Sequence, residues 1–175
     1  MESVKKLEDK IEQILKPVPH LPVTWRKWLG ENIWWITLIG AIISGIVVLI
    51  SLLAILVATA AIGTTSFILG SSYYQGYGGT SLLAMIAAFA FMVATAVLSI
   101  RAIQPLKNRN KYGWDLLFLS AIIGVTSSVV VTILDLDFIQ LIPKLINAAV
   151  SAAISAYLLF EIRSQFNAAK VLSKK

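Results

Sequence analysis

Residues 32–100 read NIWWITLIGAIISGIVVLISLLAILVATAAIGTTSFILGSSYYQGYGGTSLLAMIAAFAFMVATAVLSI, and none of these 69 residues is Asp, Glu, Lys or Arg. A soluble domain of this size carries charged side chains throughout, because much of its surface faces water. The hydrocarbon core of a bilayer is about 30 Å thick, and a helix needs about 20 apolar residues to cross it. The stretch therefore predicts two transmembrane helices and a connection between them.

The composition of the whole chain also fits a membrane protein. Of its 175 residues, 58% are hydrophobic, and the formal net charge is +6. Lys and Arg lie just outside the apolar stretches, where they can contact anionic headgroups, so the charge does not indicate nucleic-acid binding. The chain has no cysteine, which excludes disulfides, a thiolate nucleophile and thiolate-bound metal. We predict a single all-α membrane domain.

Apolar stretches long enough to cross a membrane occur four times. Two come from the charge-free stretch, and two more follow a basic loop. We expect Arg101 and Pro105 to end the second span, and Pro143, a residue favoured in the first turn of a helix, to begin the fourth. The predicted transmembrane helices are residues 33–57, 82–103, 114–133 and 143–160.

The charge-free stretch is longer than two crossings require. Residues 58–70 mix Thr, Ser and Gly with apolar residues. They could extend the first helix past the membrane, re-enter the membrane as a partial turn, or lie along its outer surface, and we expect the surface segment. Glycines and small polar residues over 71–80 predict an irregular loop.

The segment before the first span predicts a short helix and a linker. Apolar residues recur at helical spacing over 3–16 and charged residues fill the opposite faces, which indicates an amphipathic helix with Ser3 as its N-cap. This helix could dock on the bundle, self-associate, adsorb to lipid or remain a frayed tail. Pro17, Pro19 and Pro22 then predict a stiff, extended linker.

Aromatic residues flank the first span on both sides. Indole and phenol rings favour the headgroup level of a bilayer, so these residues predict the two membrane interfaces. We expect residues 25–30 to lie in the membrane surface before the chain turns inward. A nucleic-acid or glycan platform and, for the tyrosines, a ligand-stacking platform are the alternatives. The predicted interfacial anchors are Trp25, Trp28, Trp34, Trp35, Tyr73, Tyr74 and Tyr77.

The distribution of Lys and Arg predicts the orientation. Basic residues are concentrated in the N-terminal segment, in the loop at 104–113 and in the tail, whereas the other two connections contain only Lys144. By the positive-inside rule, both termini then face the cytoplasm. The chain divides into a cytoplasmic amphipathic and interfacial segment (1–31), a four-helix transmembrane domain (32–163) and a cytoplasmic tail (164–175).

Acidic residues near the spans have structural and functional interpretations. Asp115 is expected in the first turn of the third span, where the helix N-terminus stabilises a carboxylate; an ion or proton path is the alternative. We expect an ion pair between Asp115 and Arg101 or Arg163 that closes the bundle. Asp135 and Asp137 are expected to be solvated, because two carboxylates in a short loop provide too few ligands for a divalent ion.

Small and polar residues recur every fourth position in three of the spans. In the third span they are Ser120, Gly124 and Ser128. Asn147, Ser151 and Ser155 share one face of the fourth. Such residues form hydrogen bonds between transmembrane helices that contribute about 0.6 kcal/mol each. Gly40 and Ser44 give the first span a small face of its own. These stripes predict helix-packing faces, and a narrow polar path along the fourth helix is the alternative.

The sequence lacks the residues that most catalytic and metal sites require. His20 is the only histidine and lies between Pro19 and Pro22, from which we exclude a His-based metal cluster and a Ser-His-Asp arrangement. No nucleotide-binding fingerprint is present. We predict no catalytic residues, no cofactor and no metal, and a lipid-modifying enzyme is the least supported function.

Two short motifs resemble a known group of proteins. The basic loop is followed by Gly113, Trp114 and Leu-Leu-Phe at 116–118, and the last span closes with Glu-Ile-Arg-Ser at 161–164. This pattern is similar to small uncharacterised four-span membrane proteins of bacteria. The resemblance implies the topology and a bacterial inner membrane, and it implies no activity.

These features favour a non-enzymatic scaffold, assembly or accessory subunit that works as a homo-oligomer or in a larger membrane complex. The small-residue faces and the amphipathic N-terminal helix suit contacts between helices. The lipid bilayer is the other expected partner, and nucleic acid is not expected. The alternative is a small oligomeric channel or transporter with a polar path along the fourth helix.

Overall fold

The protein is built from α-helices. In the part of the chain described by the computed structural model, there are five helices and no strands. The backbone is described over 2–69, 82–135 and 138–167, and the side chains over 6–57, 59–60, 83–134 and 142–166. The helices are α1 (Glu2–Leu15), α2 (Val23–Leu69), α3 (Leu82–Lys107), α4 (Lys111–Asp135) and α5 (Phe138–Asn167).

Four of these helices are long and apolar enough to cross a membrane. Together with the short helix α1, they confirm the predicted all-α fold with four transmembrane helices, and the protein is a multi-pass membrane protein. The apolar segments reach beyond the predicted spans at most of their ends. They are Val23–Val57, Leu83–Lys107, Lys111–Leu134 and Ile142–Phe166.

Both prolines near the predicted helix ends lie inside helices, so the two predictions about them are wrong. Pro105 is followed by two more residues of α3, and Pro143 is the sixth residue of α5. A proline removes only its own amide donor. One missing hydrogen bond close to a helix end does not stop the helix.

α2 is one helix of 47 residues, which corrects two predictions. Residues 25–30 belong to this helix and form no separate surface segment. Residues 58–69 continue it, so the expectation that 58–70 lies along the outer surface is wrong as far as Leu69. The stretch contains no proline and, after Glu31, no charged residue, so it carries no signal that would end a helix.

Several predictions concern residues that the structure does not describe or places differently. Tyr73, Tyr74, Tyr77 and Asp137 lie outside the described residues, as does the tail from residue 168. α1 matches the predicted amphipathic helix, but it begins at Glu2. Ser3 therefore lies within the helix and does not cap it.

The four long helices form a ring in the order α2, α3, α4, α5, with each helix lying against its two neighbours. Among the described residues, no Cα atom of α2 lies within 8 Å of α4, and none of α3 lies within 8 Å of α5. α1 lies against α5.

The buried core lies at one end of the ring, which we call the loop end because it carries the turn between α3 and α4. Trp114 is fully buried there, and its indole Nε1 donates a hydrogen bond to the Leu159 carbonyl at 2.7 Å. Its ring stacks on Phe118 and meets Phe160 edge-on, with centroids 5.3 and 5.5 Å apart. The core residues are Ala102, Leu106, Trp114, Leu116, Phe118, Leu159, Ile162 and Phe166.

The turn from α3 to α4 satisfies the backbone groups at both helix ends. The Arg109 amide donates to Leu106 at 2.9 Å and the Asn110 amide to Pro105 at 2.8 Å, the bond pair of a Schellman helix terminus. Arg109 has φ of 50°, in the left-handed region that favours glycine. Asn110 then caps α4, because its Oδ1 accepts a hydrogen bond from the Tyr112 amide at 3.1 Å.

Two glycines allow helices to approach closely at the loop end. A Cβ atom on Gly113 would lie 2.6 Å from the Leu106 amide nitrogen, and one on Gly30 would lie 2.8 Å from Cγ of Gln165. Both distances are shorter than those real Cβ atoms show. The Gln165 side chain is flexible and could move aside, whereas the Leu106 amide belongs to the backbone and could not. Gly113 therefore sets the separation of α3 and α4 beside Trp114.

Candidate functional site

The N-terminal helix is tied to the end of α5 by Arg163. The guanidinium pairs through one nitrogen with Glu8 and through the other with Glu12. The Glu8 side chain is only 7% exposed, and Lys111 Nζ of α4 lies 3.9 Å from the same carboxylate. Arg163 also lies over Trp114, 5.6 Å from its ring centroid. The ion pairs thus sit directly on the buried core.

A second carboxylate, Glu161, holds the proline-rich linker. Its side chain is 4% exposed, and its two oxygens lie 2.6 Å from His20 Nδ1 and 3.5 Å from Arg26 Nε. The Leu21 amide donates to the same carboxylate at 3.3 Å. Tyr157 adds a hydrogen bond from its hydroxyl to a linker carbonyl at 2.7 Å. Two residues of α5, Glu161 and Tyr157, therefore hold this linker in place.

We call these two groups of contacts the N-terminal clasp, formed by Glu8, Glu12, His20, Glu161 and Arg163. Of the alternatives left open for the amphipathic helix, the clasp corresponds to docking on the bundle. The partners lie 141 to 155 positions apart in the sequence, and helical periodicity cannot pair residues over such distances. The one available signal in the sequence is that Glu161 and Arg163 lie two positions apart at the end of an apolar span, where each charge needs a partner.

The predicted ion pair of Asp115 is not present among the described residues. Arg163 pairs with Glu8 and Glu12. No described basic residue lies within ion-pair distance of Asp115, and no described acidic residue lies within that distance of Arg101. Both side chains are exposed. Asp115 is the fifth residue of α4 and not part of its first turn, because the helix begins at Lys111.

A partly open pocket of about 290 Å³ lies beside the clasp. His20 and Glu161 line it together with Ser164, and His20 contacts the Glu161 carboxylate directly. Within the described residues, Ser164 makes no hydrogen bond to His20. The carboxylate is already occupied by the Leu21 amide and Arg26. The arrangement is that of a structural tie, and no metal-binding group of three His, Asp or Glu occurs in the described part of the chain.

The predicted polar stripe of α5 lies in a groove between α3, α4 and α5. The groove has a volume of about 970 Å³. Asn147, Ser151 and Ser155 line it and are exposed, so none of the described helices covers them. Gly124 of α4 faces the same groove, and a Cβ atom there would meet nothing within 4 Å. At the loop end, Leu7 and Ile11 of α1 form part of the groove lining.

The described tryptophan anchors lie at the beginning of α2. Trp25, Trp28 and Trp35 are at least half exposed, as expected of rings at a membrane interface. Trp34 differs, because it packs partly against the core. The ammonium group of Lys107 lies 5.2 Å from its ring centroid. The interfacial role of all four remains a prediction.

The comparisons with known proteins add no family assignment: no family model, no curated protein and no solved structure matches this chain. Function must therefore be argued from the clasp, the groove and the charged loop end themselves.

Proposed function

We propose that this membrane protein is a scaffold, assembly or accessory subunit that binds another transmembrane helix in the groove between α3, α4 and α5. The observation that carries the proposal is the exposure of Asn147, Ser151 and Ser155 in this groove. The binding partner is a second copy of this chain or a helix of a larger complex. The proposal assigns no catalytic residue, cofactor or metal.

The chemistry of the groove supports a helix as its occupant. Lipid tails offer no hydrogen bonds, so an exposed side-chain amide such as that of Asn147 has no partner at membrane depth. A neighbouring helix can supply donors and acceptors, and small residues let its backbone come close. Ala148 and Ala152 line the groove beside the stripe, which widens the region available for close approach.

The packing of the rest of the molecule supports the same proposal. The loop end is closed by a buried core and by the clasp, so α4 and α5 are held firmly at one end. Gly40 and Gly45 of α2, like Gly124, have open space where a Cβ atom would lie. Small residues that meet no helix of their own chain are suited to meeting a helix of another.

The absence of cysteine makes the proposal directly testable by cross-linking. S151C, placed in the groove, is expected to cross-link to a defined partner in native membranes. L53C, on an exposed position of α2, is the control and should not. Purification in mild detergent followed by mass measurement identifies the complex, and a bare monomer without cross-links from S151C would refute the proposal.

A double variant tests the groove without touching the core. N147L/S151L replaces two exposed side chains, so the monomer should keep its stability while the complex is lost. I146L/V150L changes two exposed residues of α5 that do not line the groove, and it should keep the complex. Loss of the complex in both variants would show that the groove is not the contact.

The second candidate function is a small oligomeric channel or transporter. The observation that favours it is the same row of Asn147, Ser151 and Ser155, which could line a polar path once several copies assemble. In liposomes, N147L/S151L would then abolish an ion or solute flux while the oligomer remained intact. A defined heteromeric complex without flux would favour the accessory role.

The placement in the cell is part of the proposal. Basic residues at the loop end and in the N-terminal segment support a cytoplasmic location for both termini, and the resemblance noted above supports a bacterial inner membrane. Labelling of K16C from the cytoplasmic side and of S72C from the opposite side would agree with this orientation. The reverse pattern would overturn it.

A further inference from the structure

A group of basic and aromatic side chains at the loop end carries more positive charge than its surroundings balance. We call it the headgroup patch, formed by Lys27, Glu31 and Trp34 of α2, Lys107 at the end of α3, and Arg109. Lys107 lies over the Trp34 ring, 5.2 Å from its centroid. Arg109 pairs with Glu31 at 3.1 Å, and Lys27 lies one turn before Glu31 on the same helix face.

The charges of the patch are not neutralised within the described residues. Glu31 is the one carboxylate among three cations, and neither Lys27 nor Lys107 forms an ion pair with any described residue. The clasp on the opposite side of the loop end is different, because Arg163 and Arg26 meet Glu8, Glu12 and Glu161. The patch therefore keeps a net positive charge, whereas the clasp pairs its buried charges with one another.

The position of the patch specifies the kind of anion. Lys107 ends the apolar segment of α3. On α2, the face that carries Lys27, Glu31 and Trp34 continues into the membrane with the exposed apolar side chains of Ile42 and Leu49. A ligand that fits both features has a negative headgroup joined to an acyl chain. Inorganic phosphate would use only the cations and would leave the apolar face uncovered.

We propose that the headgroup patch binds the headgroup of an anionic phospholipid, with Lys107 and Lys27 contacting the phosphate and the acyl chains lying along Ile42 and Leu49 of α2. Trp34 holds the Lys107 ammonium at the correct height through the cation–π contact. Juxtamembrane cations are attracted to anionic lipid in this way. The inference rests on the membrane placement of the fold and does not depend on the partner-binding groove.

The test is lipid binding by the full-length protein in mild detergent. After delipidation, native mass spectrometry would compare phosphatidylglycerol with phosphatidylcholine of the same acyl chains. The wild type should bind the anionic lipid about tenfold more tightly, and K27Q/K107Q should lose most of this preference. K10Q/K16Q removes the same charge from exposed positions near the clasp and should retain it.

Each other outcome contradicts the proposal. Equal binding of the two lipids by the wild type would show that no anionic headgroup is selected. An equal loss in K10Q/K16Q would show a diffuse charge effect without a site. If inorganic phosphate displaced phosphatidylglycerol at comparable concentration, the ligand would be a free anion and not a lipid. Unchanged helical circular dichroism and melting would establish that K27Q/K107Q is folded.

Discussion

The loop end and the middle of the bundle differ in how completely their side chains are packed. At the loop end, Trp114 and Phe166 have almost no exposed surface, and the clasp covers the core. In the groove, Asn147 and Ser151 are exposed and Gly124 adjoins open space. Large aromatic and charged side chains thus complete the fold at one end, whereas small residues leave the other region free for contacts outside the chain. The predictions below test this difference.

Removal of the central indole should have the largest effect. W114A deletes a fully buried side chain, its hydrogen bond to Leu159 and two ring contacts, so the free energy of unfolding should fall by about 3–5 kcal/mol. Denaturation in mixed detergent micelles measures the change. W25A removes an indole that is 58% exposed and should cost far less. Equal losses in the two variants would contradict the packing described for the loop end.

Loss of the clasp arginine should rank second. R163Q leaves Glu8 buried without its main partner, and breaking a buried pair typically costs several kcal/mol; we expect about 3 kcal/mol because Lys111 stays nearby. Limited proteolysis of the linker between α1 and α2 should also accelerate.

The matched control for the clasp is D115N. Asp115 is exposed and makes no ion pair among the described residues, so detergent stability should not change in this variant. If D115N lost stability and R163Q did not, the result would contradict the clasp and support the ion pair of Asp115 predicted from the sequence.

Adding a methyl group should have different effects on stability in the two regions. G113A places a Cβ atom 2.6 Å from the Leu106 amide nitrogen, which forces α3 and α4 apart and should cost about 2 kcal/mol. G124A adds the same methyl group in open space, and the melting temperature should stay the same or rise because alanine favours helix. Equal melting temperatures for G113A and G124A would contradict the close approach of α3 and α4 at Gly113.

The smallest effect concerns the left-handed turn residue. R109G relieves the backbone at φ 50° but removes the exposed ion pair with Glu31, so its net change should stay within about 1 kcal/mol. R109A loses the pair and keeps the unfavourable conformation. R109G should therefore be more stable than R109A by about 1 kcal/mol in the same denaturation assay. No difference between the two would argue against a left-handed Arg109.

Much of the architecture could be predicted from the sequence because hydrocarbon thickness and charge distribution act on each segment independently. The charge-free stretch, the apolar lengths and the amphipathic pattern of α1 depend only on neighbours along the chain. Helix ends were predicted less well. Pro105 and Pro143 were predicted as boundaries, yet each removes only its own amide donor and the helix continues through it.

The clasp could not be predicted, because its contacts depend on how helices far apart in sequence are rotated about their axes. Glu8 and Arg163 have the expected charges, but nothing local indicates that they meet, and Asp115 seemed an equally good partner. The same reasoning applies to His20, whose carboxylate partner comes from the last helix. The shared face of Asn147, Ser151 and Ser155 follows from helical spacing alone, whereas the exposure of these residues beside the described helices required the structure.

The length of α2 makes this protein sensitive to the thickness of its bilayer. At 1.5 Å per residue, a helix of 47 residues extends about 70 Å, more than twice the hydrocarbon core. No charge after Glu31 fixes how far it projects. Such a helix must tilt, extend beyond the membrane surface or thicken the lipid around it. The cost is fractions of a kcal/mol per Å of hydrophobic mismatch. Short-chain and long-chain bilayers should therefore impose different tilts on α2, and with them different positions on α3 and α5, the two helices that both contact α2 and line the groove.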